Sequence, residues 1–131
     1  MSVRLETARL VLREPEEADA PALLLYHQFN EERFARWEPD HPDDLAYHLR
    51  WVRWRRGESA IGRGLALLAL DRTAPDALVA IVNLYDIQAG STHSAMLGYS
   101  VDGAYEGKGY AREAIVAVTA HAFDALDLHR L

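Results

Sequence analysis

The stretch of sequence that decides the fold is LGYSVDGAYEGKGYARE, residues 97–113. It begins as a strand, carries Gly107 and Gly109 in a loop, and ends in the first turn of a helix. The glycines leave backbone N–H groups uncovered by side chains, and the helix adds its own unpaired N–H groups and the positive end of its dipole. This arrangement predicts a site for a phosphate or pyrophosphate group.

Two common phosphate-binding motifs do not match this loop. A P-loop requires a Ser or Thr after its Gly-Lys pair, and residues 103–109 do not supply one. A dinucleotide fingerprint requires three glycines early in a parallel βαβ unit, but Arg112 stands at the third position and the preceding strands predict a meander. A tight turn before a helix remains the purely structural interpretation of a lone Gly-x-Gly.

Composition limits the classes of protein to consider. The chain has 131 residues, half of them hydrophobic, and no cysteine, which indicates one soluble domain without disulfides or thiolate metal sites. No apolar run approaches the length of a membrane span, so we expect no membrane partner and a cytoplasmic location. The net charge of −6 argues against direct binding of nucleic acid.

The charges are unevenly distributed along the chain. Residues 14–44 contain ten acidic and two basic residues, a net charge of −8. This segment could attract a cationic substrate, and the basic group that follows it could hold an anion. The alternative is two solvated helix faces of opposite charge. The basic group consists of Arg50, Arg53, Arg55, Arg56 and Arg63.

Hydrophobic patterning predicts an antiparallel meander flanked by helices. The expected strands cover residues 9–13, 64–70, 77–87 and 94–102. The expected helices start at Pro15, at a cap on Asp43 or Asp44, and at residue 109. A loop is expected at residues 57–64. The last helix has an apolar stripe of Ala111, Ile115, Val118, Ala122 and Leu126. Trp51 and Trp54, at helical spacing, are expected in the core.

The last residues, 128–131, have the pattern of a strand that has only begun. Because a strand needs length and a neighbour, we expect the chain to be incomplete at its C-terminal side. The open edge of such a sheet favours a homodimer.

The glycine loop resembles the signature of the GNAT family of acyl-CoA-dependent N-acetyltransferases, Arg/Gln-x-x-Gly-x-Gly/Ala. The match is at Gly109 and Ala111, and Glu106 stands where Arg or Gln is usual. The order of elements is also similar. Residues 7–13, 30–39 and 97–100, with His129-Arg130, resemble the ribosomal-protein-alanine type of this family (RimJ/RimL).

This resemblance implies an α/β (α+β) GNAT fold, a central, mostly antiparallel sheet flanked by helices, with its last strands missing and residues 1–131 in one domain. It implies transfer of an acetyl group from acetyl-CoA to a primary amine, the N-terminal α-amine of a ribosomal or other protein, by direct attack on the thioester. The alternatives are acetylation of a small-molecule amine, such as an aminoglycoside or polyamine, and a non-catalytic CoA-binding or interaction module.

The resemblance also assigns residues to the site. Pantetheine would lie along the main chain of Tyr99, Ser100 and Val101. Trp37 and Glu38 would contact the acceptor substrate. The pyrophosphate would lie against Glu106, Gly107, Lys108, Gly109, Tyr110, Ala111 and Arg112.

The proton-handling groups are left unassigned by the sequence. Met96 occupies the position where many relatives have a Glu, so the candidates are Asn83, Tyr85 and Asp86 on the neighbouring strand, with His93. A single His at a turn is commonly only a surface residue. The six histidines show no spacing typical of a metal site, and we therefore expect no bound metal.

Overall fold

A five-stranded antiparallel sheet in the order β1-β2-β3-β4-β5 organises the fold. The computed structural model describes residues 2–39, 41–88 and 94–124. The strands are β1 (Arg4–Glu6), β2 (Leu10–Arg13), β3 (Leu65–Asp71), β4 (Ala74–Gln88) and β5 (Ser94–Val101). The helices are α1 (Ala20–Phe29), α2 (Glu31–Phe34), α3 (Leu45–Ala60) and α4 (Tyr110–Asp124), with 3-10 turns at Glu17–Asp19 and Gly103–Tyr105.

Each face of the sheet is covered by helices. Consecutive residues of β3, such as Leu67 and Leu68, point into two different hydrophobic clusters on opposite faces of the sheet. One cluster contains Val118 of α4, and the other contains Leu23 of α1 and Val52 of α3. The residue pattern LALLALD of β3 is therefore apolar on both sides, as expected for a central strand.

The predicted meander and its helices are confirmed, with different boundaries in several places. Strand β1 was not predicted and precedes the strand expected to be the first. Its three residues of mixed polarity give no clear alternation. Helix α3 begins after Asp44, whose carboxylate accepts from the Tyr47 N–H at 2.8 Å, and it continues through Gly57 to Ala60, where a loop was expected. The β4 strand begins at Ala74, three residues earlier than expected.

Two expectations about buried side chains were partly wrong. The stripe of α4 that is fully buried consists of Ala114, Val118 and Ala122, while Ala111 and Ile115 lie only half-buried beside it. Trp51 packs against the cluster beneath α1 and α3, but Trp54 is 51% exposed. The expected last part of α4 beyond residue 124 and the strand expected at residues 128–131 lie outside the described residues.

The arginines of α3 are used within the fold. Arg53 pairs with Glu17 at 2.8 Å, and Arg56 donates to the carbonyl of Pro15 at 2.9 Å. Arg55 is buried and donates to two carbonyls of β3 and β4. Three of the five arginines of the basic group are therefore engaged within the fold. No helix in the described part of the chain is long and apolar enough to cross a membrane.

Candidate active site

A cleft of about 540 Å³ lies between the end of β5, the glycine loop and the first turn of α4. It collects nine of the ten residues predicted to bind the cofactor, and it adds Arg33 of α2. We call it the cofactor cleft. Its walls are formed by Arg33, Trp37, Tyr99, Ser100, Val101, Tyr105, Glu106, Gly107, Gly109, Tyr110, Ala111 and Arg112.

The backbone of this loop presents a continuous row of donors. Gly107 and Gly109 have φ angles of 75° and 84°, in the left-handed region that favours glycine. Within the described residues, the N–H groups of residues 107–112 have no hydrogen-bond acceptor, whereas Glu106 and Glu113 on either side donate to carbonyls. Unpaired N–H groups at the start of a helix provide positive potential for an anion such as a diphosphate.

The outer edge of β5 faces the same cleft. The Val101 carbonyl accepts from Arg33 at 3.2 Å, while the Asp102 N–H donates to the Val79 carbonyl of β4 at 2.8 Å. Because main-chain groups alternate in an antiparallel pair, those of Tyr99 and Val101 point outward and those of Ser100 point toward β4. Ser100 thus differs from the expected main-chain contact and offers its side chain, whose Oγ lies 2.8 Å from the Tyr26 hydroxyl.

Glu106, the departure from the family signature, is paired with a cation. The Arg33 guanidinium contacts its carboxylate and also donates to the side-chain oxygen of Asn30 at 2.7 Å. Buried Asn30 in turn accepts from the Gly103 N–H at 2.9 Å, which ties the end of α1 to the loop. The added negative charge of Glu106 is therefore offset by Arg33 beside the cofactor cleft.

The turn between β1 and β2 braces the loop from the other side. Arg9 donates to the Lys108 carbonyl at 3.0 Å, stacks over the Tyr110 ring at 3.8 Å and pairs with Glu113 at 2.8 Å. Thr7 also donates to the Glu113 carboxylate. Burial opposes ionisation of Glu113, but these hydrogen bonds outweigh it and lower the pKa of the carboxyl group.

Lys108 is the predicted cofactor residue that does not line the cofactor cleft. Its ammonium group donates to the Ala104 carbonyl at 3.3 Å. In this position Lys108 helps to close the loop on itself.

A second cleft of about 490 Å³ adjoins the first, and Ser100 lines both. We call it the acceptor cleft. It contains two of the predicted candidates for proton transfer, Asn83 and Tyr85, and one of the predicted substrate residues, Glu38. The cleft is enclosed by His27, Glu38, Pro39, His41, Pro42, Tyr47, His48, Trp51, Ile81, Asn83, Tyr85 and Ser100.

The two polar residues of β4 in this cleft have distinct chemistry. The side-chain oxygen of Asn83 is buried and, among the described residues, has no hydrogen-bond donor. Burial raises the pKa of Tyr85, although the Arg55 guanidinium 4.4 Å from the ring centroid acts in the opposite direction. Asn83 thus holds an acceptor without a donor in the buried wall of the cleft, and Tyr85 offers a hydroxyl that is protonated at neutral pH.

The remaining predicted residues are placed elsewhere. Asp86 is exposed at a bulge in β4, with a φ of 50°, and lines neither cleft, while His93 lies outside the described residues. Trp37, 60% exposed, lines the cofactor cleft, so the expected substrate pair is divided between the two clefts. Met96 is 63% exposed and is paired with Tyr85 across the strands.

A cluster of histidines in the wall of the acceptor cleft was missed by sequence reasoning. The cluster consists of His27 of α1, His48 of α3 and His41, which precedes α3. Their ring centroids lie 5.0 to 6.0 Å apart, and the Tyr47 ring stacks on His41 at 4.5 Å. Burial, followed by the neighbouring imidazoles, lowers the pKa of His48 to about 4. Glu38 completes a group with His27 and His41 whose donor atoms suit a metal ion.

Comparison with known proteins agrees with this geometry. Residues 9–131 match the family described as the acetyltransferase (GNAT) domain. The chain is 29% identical over 136 residues to the [ribosomal protein uS5]-alanine N-acetyltransferase of Escherichia coli, covering 98% of this chain and 68% of that protein.

Solved structures show the same fold. The ribosomal-protein-S5-alanine acetyltransferase of Vibrio fischeri superposes with a TM-score of 0.88 at 22% identity, covering 97% of this chain and 70% of that one. RimJ of Mycobacterium smegmatis, in complex with CoA-disulfide, has a TM-score of 0.80 at 22% identity, with coverages of 98% and 64%. With the family match spanning nearly all residues and both clefts assembled around the glycine loop, this chain belongs to the GNAT acetyltransferase family.

Proposed function

We propose that this protein transfers an acetyl group from acetyl-CoA to the N-terminal α-amine of a protein, and that the acceptor is a ribosomal protein. The observation that carries the proposal is the row of unpaired N–H groups of residues 107–112 at the floor of the cofactor cleft. The similarity to the uS5-alanine N-acetyltransferase supports the choice of acceptor. Since ribosomal proteins are made in the cytoplasm, we propose that the protein acts there, as a single acetyltransferase domain.

The cofactor cleft supplies contacts for two parts of acetyl-CoA. The N–H groups of residues 107–112 would hold the diphosphate, with the Arg112 guanidinium on the same wall. The outward main-chain groups of Tyr99 and the Val101 N–H would pair with the amides of the pantetheine arm, as an added strand does at a sheet edge, while the Val101 carbonyl stays with Arg33. Acetyl-CoA supplies the activated thioester carbon, which the amine attacks.

The acceptor cleft supplies the groups for acetyl transfer. Glu38 would attract the α-ammonium group, which would lose one proton to water before it attacks the thioester. The new N–C bond forms as the C–S bond breaks, and the nitrogen then loses its second proton to water. The Tyr85 hydroxyl, kept protonated by burial, would then donate to the departing thiolate.

Thiol release measured with a chromogenic disulfide reagent tests the proposal. A basic peptide with a free N-terminal Ala should release CoA thiol, whereas the same peptide with a blocked α-amine should not. Tyr85→Phe keeps the ring over Arg55 but removes the hydroxyl, and we expect kcat/KM to fall by about a hundred-fold or more. CoA affinity should be unchanged, because Tyr85 lies outside the cofactor cleft.

The other outcomes have distinct meanings. Turnover with polyamines or aminoglycosides but not with peptides would assign a small-molecule acceptor. CoA binding without thiol release for any amine would indicate a non-catalytic CoA-binding module. The exposed Met96, at the position where the family pattern places a Glu, is the feature that favours this second candidate.

A further inference from the structure

A small cavity of about 70 Å³ lies between α1 and the segment of residues 35–43. Three groups that ligate metals meet there: the imidazoles of His27 and His41 and the carboxylate of Glu38. One ligand atom from each of the three lies within 4.8 Å of the others. Glu31 and Asp43 also line the cavity and add negative charge.

Each of the two imidazoles has one nitrogen hydrogen-bonded to a backbone carbonyl. His27 Nδ1 lies 2.9 Å from the Leu23 carbonyl, and His41 Nδ1 lies 3.0 Å from the Pro42 carbonyl. Because a carbonyl only accepts, each Nδ1 carries the proton and each Nε2 keeps a free lone pair. A hydrogen bond of this kind, from the second ring nitrogen to a carbonyl, is typical of metal-ligating histidines because it fixes the tautomer and the ring orientation.

A third imidazole lies against this group. The His48 ring centroid is 5.0 Å from that of His27 and 6.0 Å from that of His41. Its side chain is fully buried, and its Nε2 has no hydrogen-bond partner within the described residues. A buried polar nitrogen without a partner is unfavourable, and a bound ion with its water would supply one.

We propose that His27, Glu38 and His41 form a binding site for a divalent transition metal, with Zn²⁺ as the ion that best fits the donors. Two imidazole nitrogens and one carboxylate, with a fourth position open to water, match the ligand sets of tetrahedral zinc. Nitrogen donors disfavour Mg²⁺ and Ca²⁺, which prefer oxygen ligands.

Zinc binding would require a small closure of the cavity. Ligand atoms around tetrahedral zinc lie about 3.3 Å apart, so the three atoms must approach one another from their present spacing. Residues 35–39 and 41–43 contain no α-helix or strand. The bound ion would hold the segment carrying Trp37 and Glu38, which line the two clefts, against α1. It would also take the Glu38 carboxylate, so that this group would attract the α-ammonium only in the zinc-free protein.

Titration of chelator-treated protein with ZnCl₂, in competition with a chromophoric chelator, tests the site. We expect one equivalent to bind and the melting temperature to rise with Zn²⁺ but not with Mg²⁺. Co²⁺ should give the intense visible absorption of a tetrahedral site. Each of the variants His41→Ala and Glu38→Gln should raise the Kd for zinc by at least about ten-fold.

The matched control is His121→Ala, because His121 lies on α4, across the sheet from the cavity. This variant should bind zinc as the wild type does. Absence of saturable binding, or equal affinity in His41→Ala and wild type, would overturn the proposal. Neither result depends on acetyl transfer, so the proposed enzymatic function is tested separately.

Discussion

Gly109 is the single residue on which the geometry of the cofactor loop depends most. Its φ of 84° is strained for any other residue, and an added Cβ would lie 3.3 Å from the Arg9 guanidinium. We therefore expect Gly109→Ala to destabilise the protein by about 1–2 kcal/mol. It should also displace the row of N–H groups and raise the Kd for CoA by about ten-fold, as measured by calorimetry.

Gly57→Ala is the matched control for this substitution. Gly57 lies inside α3 with open space around it, so alanine should stabilise the protein by about 0.5–1 kcal/mol and leave CoA affinity unchanged. Equal CoA affinity in Gly109→Ala and wild type would show that the loop does not bind the diphosphate as proposed.

At the residue scale, local sequence was enough to find the loop but not its partners. Gly107 and Gly109 could be recognised because few other residues adopt positive φ, and both do so here. Arg33, which offsets the charge of Glu106, could not be recognised, since 73 residues separate the two along the chain. Only the packing of α2 against the loop brings the two side chains together.

At the scale of elements, Glu113 joins the β1–β2 turn to the first turn of α4. Its pKa is lowered in the folded protein, so its contribution to stability is present above the unfolded pKa of about 4.5 and is lost as the pH falls through the folded pKa. We expect Glu113→Gln to be less stable than wild type by about 1–2 kcal/mol at pH 7. The difference should shrink below pH ~4.5, as measured by urea unfolding at several pH values.

Glu17→Gln provides a comparison on the surface. Glu17 pairs with Arg53, but both side chains are more than half exposed, so we expect a change close to zero at every pH. If the Glu113→Gln deficit persisted undiminished at pH 3, the brace would not depend on the ionised carboxylate.

The elements that were predicted well are those with strong periodicity. The apolar run of β3 and the stripe of α4 could be assigned because burial requires these patterns. The end of α3 could not be assigned from the sequence, because Gly57 is a weak helix former and nevertheless lies inside the helix. The bulge at Asp86 also gave no signal, since it depends on the pairing of β4 with β5.

At the scale of the whole molecule, the sites are formed by distant parts of the chain. The acceptor cleft takes residues from α1, the segment after α2, α3, β4 and β5. The histidines at 27, 41 and 48 have no regular spacing, which is why the sequence indicated no metal site while the fold brings them together. Tertiary packing, not local sequence pattern, determines both the acceptor cleft and the histidine cluster.

The negative charge of the molecule predicts an electrostatic contribution to the rate at which it binds its acceptor. The net charge is −6, and Glu31, Glu38 and Asp43 from the acidic segment lie around the small cavity beside the acceptor cleft. Such a field should steer a basic N-terminal peptide toward the cleft. Raising the ionic strength from about 0.01 M to about 0.15 M shortens the screening length from about 30 Å to about 8 Å, and we expect the association rate constant to fall by about ten-fold.

Stopped-flow fluorescence with a labelled basic peptide measures this rate constant. Glu31→Gln should reduce its dependence on salt, because it removes one charge from the cavity wall without altering either cleft. Glu6→Gln removes the same charge from β1 instead, outside both clefts and the small cavity, and should have a weaker effect. A rate constant that is independent of salt in the wild type would show that the acidic segment is only a solvated surface, and recognition of the acceptor would then depend on contacts within the cleft.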